Sequence, residues 1–229
     1  MSLKLYYFPT LNGHKVTIAL EEMQLDYTLE WVDILAGAQH EPEFLAINPN
    51  GRMPALVDED APGGAVKVFE SGAILQYLGR KTGQFYPSDE QSRARIDSWL
   101  FWQMAGLGPM SGQVNYFTRA AGREDRDPAE TSFALHRFHR ETARLFGVLE
   151  RGLRDGDYLV GDYSIADMCC FTWIDKYPEN GGGLDEFPRL AAWHRRIAAR
   201  PAVRRGLEVG NNRLNLSDED RAKWNKRGR

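Results

Sequence analysis

A small α/β domain followed by an all-helical one is the architecture that this 229-residue sequence predicts. Through about residue 84 the chain alternates short strand-type runs with helical-period stretches, each punctuated by Pro and Gly turns. From about Ser88 no further strand pattern occurs, and long helical stripes take over. Between the two regimes, Gly83 to Ser88 reads as a linker.

Each element follows from its own residues. Leu3 to Phe8 is a short aromatic-rich strand closed by Pro9. Asn12-Gly13 opens a helix in which Val16, Ala19, Leu20 and Met23 recur at helical spacing. Tyr27 to Ile34 is a second strand, with Tyr27, Leu29 and Trp31 alternating against polar neighbours. A loop holding Gly37 and Gln39 leads to a short helix at Glu41 to Ile47, and Asn48-Pro49-Asn50-Gly51 forms a turn. Pro54 to Val57 pairs with Val66 to Phe69 across Pro62-Gly63-Gly64, and Ser71 starts a helix carrying Ile74, Tyr77 and Leu78. The order is β-α-β-α-β-β-α. Helices then follow at Glu90 to Phe117, at Glu130 to Leu153, and from the Ser164-Ile165-Ala166-Asp167 capping box through Trp173. One more runs from Pro188 to Arg200, ended by Pro201. The division is thus 1–84 for the α/β domain, 90–212 for the helical domain and 213–229 for a polar, solvated tail ending in a basic cluster.

Composition narrows the function. Basic residues number 29 against 32 acidic ones, a net charge of −3, which gives no electrostatic reason to expect a nucleic-acid partner. No apolar run approaches a membrane span. The two cysteines, Cys169 and Cys170, are adjacent and too close for an unstrained disulfide, which points to a reducing, cytoplasmic setting. No phosphate-binding glycine motif is present, and His136 and His139 lack partners at metal-ligand spacing, so no metal is expected. Both cysteines lie in an apolar helix, where such thiols are inert packing.

Polar residues at the ends of first-domain elements remain. Thr10 and Asn12 precede a helix N-terminus, where they either cap orphan N–H groups or help to recognise an anion. Met53-Pro54 enters a strand and suggests a cis peptide bond. Ser71 is a natural N-cap, yet its hydroxyl and backbone N–H suit a carboxylate, and Glu70 beside it suits an ammonium. A carboxylate and an ammonium on one carbon describe the end of an amino acid.

The segments N-P-N-G-R-M-P-A-L (Asn48 to Leu56) and F-E-S-G-A-I-L (Phe69 to Leu75), within this order of elements, resemble a cytosolic glutathione transferase. P-T-L-N-G-H-K (Pro9 to Lys15), F-W-Q-M-A-G-L-G-P-M (Phe101 to Met110) and Y-S-I-A-D (Tyr163 to Asp167) look like the bacterial Nu class, glutathione-dependent disulfide-bond oxidoreductases. The resemblance implies a thioredoxin-like first domain, a helical second domain, a homodimer and glutathione as co-substrate. It further implies that Glu70 and Ser71 hold the γ-glutamyl end and that Met53, before cis-Pro54, pairs its backbone with the cysteinyl unit. Gln39 and Arg52 would face the glycyl carboxylate, Arg137 would add a contact from the helical domain, and Thr10 and Asn12 would be aimed at the sulfur.

A free thiol with a pKa of about 8.5 is only a few per cent thiolate at neutral pH, and donors directed at sulfur favour the charged form. The expected reaction is reduction of a disulfide by thiol–disulfide exchange with bound glutathione, with no C-x-x-C in the chain to act in its place. Tyr7, near the end of the first strand, supplies the alternative: a phenol donating to the thiolate in ordinary conjugation to electrophiles. A non-catalytic glutathione-binding module is the reading from outside enzymology.

Overall fold

Leu3, Leu5 and Tyr7 turn inward along β1 (Leu3–Tyr7), one of two interior strands of the sheet in this computed structural model. The structure describes residues 3–121, 127–176 and 183–211. β1 runs parallel to β2 (Tyr27–Trp31) and antiparallel to β3 (Ala55–Asp58), which pairs antiparallel with β4 (Val66–Phe69). The order across the sheet is β2-β1-β3-β4. β3, buried at every position, is central, whereas β4 alternates half-buried with exposed residues as an edge strand does.

Helices cover the sheet. α1 (Leu11–Glu22) buries every residue from Gly13 to Leu20. Its tight entry depends on Gly13, because a Cβ there would stand 2.6 Å from the Phe8 carbonyl oxygen. A single 3₁₀ turn (Ala38–His40) and α2 (Pro42–Leu45) sit where a short helix is expected. They contribute Phe44 to a small core with Val32 and Ala55, against which Tyr6 and Met53 pack. α3 (Ser71–Thr82) is tied back to the sheet through Asp58, which accepts from Tyr77 at 2.5 Å and meets Lys81 at 2.6 Å.

The helical half differs from expectation at two points. The run beginning at Glu90 is α4 (Glu90–Trp102), then a π-helical turn (Gln103–Leu107), then α5 (Gly108–Ala120). Pro109 has no N–H to offer the carbonyl four residues back, so the regular ladder is interrupted there. After α6 (Pro128–Gly152), α7 (Ile165–Asp175) and α8 (Pro188–Ala198), which ends ahead of Pro201 as expected, one further helix follows. Pro201 is the first residue of α9 (Pro201–Glu208), a position where a missing N–H costs nothing.

The described residues divide into two compact units, and the chain returns to the first of them. Residues up to Arg93 join the segment beginning at Ala198, while Ala94–Ile197 forms the helical unit. This differs from a helical region running through residue 212, and α9 is the reason. It packs on α1, with Thr17 Oγ1 donating to the Gly206 carbonyl at 2.7 Å and Arg200 gripping Glu22 at 2.6 and 2.8 Å. Within the helical unit the Ser164 cap is present as the sequence indicates. Asp167, fully buried, accepts from the Ser164 N–H at 3.0 Å and from Trp193 Nε1 at 2.8 Å. The tail 213–229 and Gly181-Gly182 lie outside the described residues.

Candidate functional site

Strand register brings most of the sequence-derived residues to one edge of the sheet. Tyr6 pairs with Ala55, and Ala55 pairs with Phe69, so the end of β1, the start of β3 and the end of β4 are neighbours. Thr10 and Asn12 follow β1, Met53-Pro54 precedes β3, and Glu70-Ser71 follows β4. β2, parallel to β1, ends at the same edge and feeds the loop that carries Gln39. The N-termini of α1 and α3, twelve residues each, therefore open at a shared edge, with the positive ends of their dipoles there.

Thr10 is the N-cap of α1, its Oγ1 accepting from the Gly13 N–H at 3.1 Å. With that lone pair engaged, its own O–H is a donor. Capping and anion recognition are thus compatible roles for one hydroxyl. Asn12, half-buried, lies in the first turn of the same helix.

The Met53-Pro54 bond is cis, as the sequence suggests. The approach to it is shaped by Asn48, fully buried, whose Nδ2 donates to the Arg52 carbonyl at 2.6 Å while its Oδ1 accepts from the Asn50 N–H at 3.0 Å. Arg52 itself is exposed and Met53 half-buried. Gln39 Nε2 meets His40 Nε2 at 3.2 Å, while its buried Oε1 has no hydrogen-bond partner among the described residues.

The N-cap of α3 is displaced by one residue from where the sequence suggests it. Glu70, not Ser71, occupies the N-cap position of α3, and it does so without a side-chain cap. Its carbonyl receives the first helical bond from the Ile74 N–H at 2.9 Å. Its backbone stands at φ 70°, ψ 121°, outside the usual range for a residue with a side chain, which leaves the carboxylate exposed at the edge. Asn50 Nδ2 reaches Glu70 Oε1 at 3.4 Å. Ser71 is the first helical residue and nearly fully buried. Lys15, which sequence reasoning passed over, is 0% exposed and places its Nζ 3.4 Å from Ser71 Oγ. Its signal was weak but present: it lies four residues before Ala19 and three before Ile18, on the inward side of α1.

Tyr7 is a core residue. Its ring is fully buried, and its hydroxyl donates to the Val209 carbonyl at 3.0 Å and meets His14 Nδ1 at 3.2 Å. Desolvation pushes the phenol pKa well above its ordinary value, with Tyr27 adding to the shift.

Arg137 lies on α6, in the helical unit. There it lines a cavity of about 710 Å³ together with Phe133, Arg140, Glu141 and Arg144. Glu141 is held below the usual carboxylate range by its paired hydrogen bonds from Arg144, at 2.9 and 2.7 Å. His136 lines the same cavity, and no cluster able to hold a metal ion occurs among the described residues. Cys169 and Cys170 form no disulfide and are fully buried on α7, with Cys169 Sγ against Gln103 Oε1 at 3.2 Å. No helix of the described residues is long and apolar enough to cross a membrane.

Comparison with known proteins gives this geometry a context. Residues 1–80 match the family model described as glutathione S-transferase, N-terminal domain, and residues 115–208 match the corresponding C-terminal domain. The chain is 44% identical over 217 residues to a protein of Escherichia coli (strain K12) named disulfide-bond oxidoreductase YfcG, spanning 92% of this chain and 98% of that one. A solved glutathione transferase from Burkholderia graminis, with two glutathione molecules bound per subunit, aligns with TM-score 0.85 at 40% identity, over 91% of this chain and 88% of that one. Another from Pseudomonas putida, with one glutathione disulfide bound per subunit, aligns with TM-score 0.81 at 37% identity, over 91% of each chain.

Proposed function

Because the chain belongs to the glutathione S-transferase family, we propose that it binds glutathione along the shared sheet edge and uses it to reduce disulfides. The observation that carries this reading is the convergence of Thr10 and Asn12, cis Met53-Pro54 and Glu70-Ser71 on that edge. Glu70 receives the γ-glutamyl ammonium, and Ser71 with the first N–H groups of α3 receives the adjoining carboxylate. Met53 pairs its backbone with the cysteinyl unit, like an added strand. Gln39 and Arg52 face the glycyl carboxylate.

Thr10 and Asn12 then direct donors at the sulfur, and one unit of pKa depression needs about 1.4 kcal/mol, within reach of one charge-assisted hydrogen bond. The thiolate attacks one sulfur of a disulfide, forming a mixed disulfide with glutathione and releasing the other half as a thiolate. A second glutathione thiolate attacks the glutathione sulfur of that mixed disulfide, freeing the second thiol and leaving glutathione disulfide. The names of the Escherichia coli relative and the glutathione disulfide in the Pseudomonas structure support this choice of chemistry. The burial of both cysteines supports a route without a protein thiol. Cysteines outside any disulfide also fit a reducing cytoplasm, and the exposed Phe101 and Phe133 of the helical unit fit a homodimer.

The test compares reduction of a small model disulfide with conjugation to a chloronitroaromatic electrophile. Strong reduction with weak conjugation is expected. Thr10→Val should move the pH–rate profile upward by about one unit, because the bound thiol loses a donor. Replacing Cys169 and Cys170 together by alanine should leave kcat for reduction within about twofold. Loss of reduction in the folded cysteine-free protein defeats the glutathione-only route, and binding with neither activity turns the assignment to a binding module.

A further inference from the structure

Glu70 stands at the N-terminus of a helix and does not cap it. The positive end of the α3 dipole draws anions, yet the Glu70 side chain makes no cap bond to that helix. It meets the amide of Asn50 instead, whose Nδ2 reaches Glu70 Oε1 at 3.4 Å. Both residues are exposed, so the contact adds nothing to the core.

Asn50 is fixed from behind. Its backbone N–H donates to Oδ1 of the buried Asn48 at 3.0 Å, and the Gly51 N–H closes the turn on the Asn48 carbonyl at 3.0 Å. Pro49 restrains the backbone between them. The amide thus projects from a set turn toward the carboxylate. An amide nitrogen donates without carrying charge, so it orders the carboxylate and leaves it anionic, with most of its acceptor capacity kept. Glutamate is among the side chains with most rotamer freedom to lose, so ordering it beforehand favours binding.

We propose that Asn50 is a positioning residue for amine recognition: its amide draws the Glu70 carboxylate away from the α3 N-terminus and holds it ready for the ligand's γ-glutamyl ammonium. The proposal rests on the placement of glutathione at Glu70 and Ser71 given above. It assigns the turn 48–51 a share in selecting for the charged amine, apart from Arg52 and Met53 that follow it.

Calorimetric titration tests this with glutathione, its des-amino analogue (glutaryl in place of γ-glutamyl) and γ-glutamylcysteine, in wild type, Asn50→Ala, Glu70→Ala and the double variant. Wild type should prefer glutathione over the des-amino analogue by roughly tenfold, the scale of one charge-assisted hydrogen bond. A 3.4 Å bond between exposed groups is a modest one, so Asn50→Ala should cut that preference about threefold by weakening glutathione alone. The ratio of glutathione to γ-glutamylcysteine affinity should stay at its wild-type value, because the backbone turn ahead of Arg52 is kept. In the Glu70→Ala background the effect of Asn50→Ala should disappear. Equal weakening of glutathione and its des-amino analogue, or a changed preference for the glycine, overturns the proposal, because a displaced turn would do that. If Asn50→Ala keeps the amine preference while Glu70→Ala loses it, the proposal falls and the glutathione site stands. If wild type shows no such preference, or Glu70→Ala keeps it, the placement of the ammonium is wrong and the proposal falls with it. Asn50→Gln retains an amide donor and supplies a second variant. It should hold the wild-type preference to within about twofold, and a loss as large as that of Asn50→Ala refutes the donor role.

Discussion

The Tyr7 hydroxyl has two partners inside the first unit, the Val209 carbonyl and His14, and desolvation keeps it in the neutral form. A phenol so committed is part of the fold. Tyr7→Phe is expected to cost about 1–2 kcal/mol in urea unfolding, since the carbonyl loses its donor, and to leave disulfide reduction within about twofold. A large fall in kcat with unchanged stability would restore Tyr7 to the chemistry. Side-chain identity made Thr10 legible as a cap and Glu70 as a carboxylate at an element end, whereas Ser71, which also reads as a cap, is the first helical residue. Lys15 was not legible, because a lysine is assigned to water unless a structure shows otherwise, and here burial is set by elements that come later in the chain.

Two of the contacts that join elements are open to test. Burial alone would raise the Asp58 carboxyl, but Lys81 and Tyr77 outweigh it and hold the group below the ordinary carboxylate range. Its folded-state pKa thus lies below the unfolded value of about 3.9, so the clamp between β3 and α3 contributes above about pH 4 and is lost as pH falls through the folded value. Asp58→Asn should lower the melting temperature at neutral pH and flatten its decline in acid. At the crossing of α1 and α9, a Cβ on Gly206 would stand 2.7 Å from Ile18 backbone atoms. Gly206→Ala should therefore cost about 1–3 kcal/mol by calorimetry, since backbone cannot step aside as a side chain can. α9 itself escaped the sequence because Pro201 reads equally as a stop and as a first helical residue, and the helix spans only eight residues. The first-half order was legible because each strand there is bracketed by its own turn residues.

For the molecule as a whole, a ligand that binds only the folded chain must stabilise it. At about one hundred times its Kd, glutathione should add about 2.7 kcal/mol, read as a rise in melting temperature. Ser71→Ala should show a smaller rise at the same concentration. The two-part division was visible from where strand patterns cease, but the return of the chain to its first unit was not, since it depends on tertiary packing of α9 against α1. Glu70 adds a consequence at this scale. A non-glycine residue at φ 70°, ψ 121° holds strain of order 1–3 kcal/mol, so the chain keeps a carboxylate at the sheet edge against its own conformational preference. Heat resistance and ligand affinity then pull this one codon in opposite directions. A library at position 70 survives heating best with glycine and is retained on immobilised glutathione best with glutamate, and a breeder selecting for durability alone would discard the function without disturbing the fold.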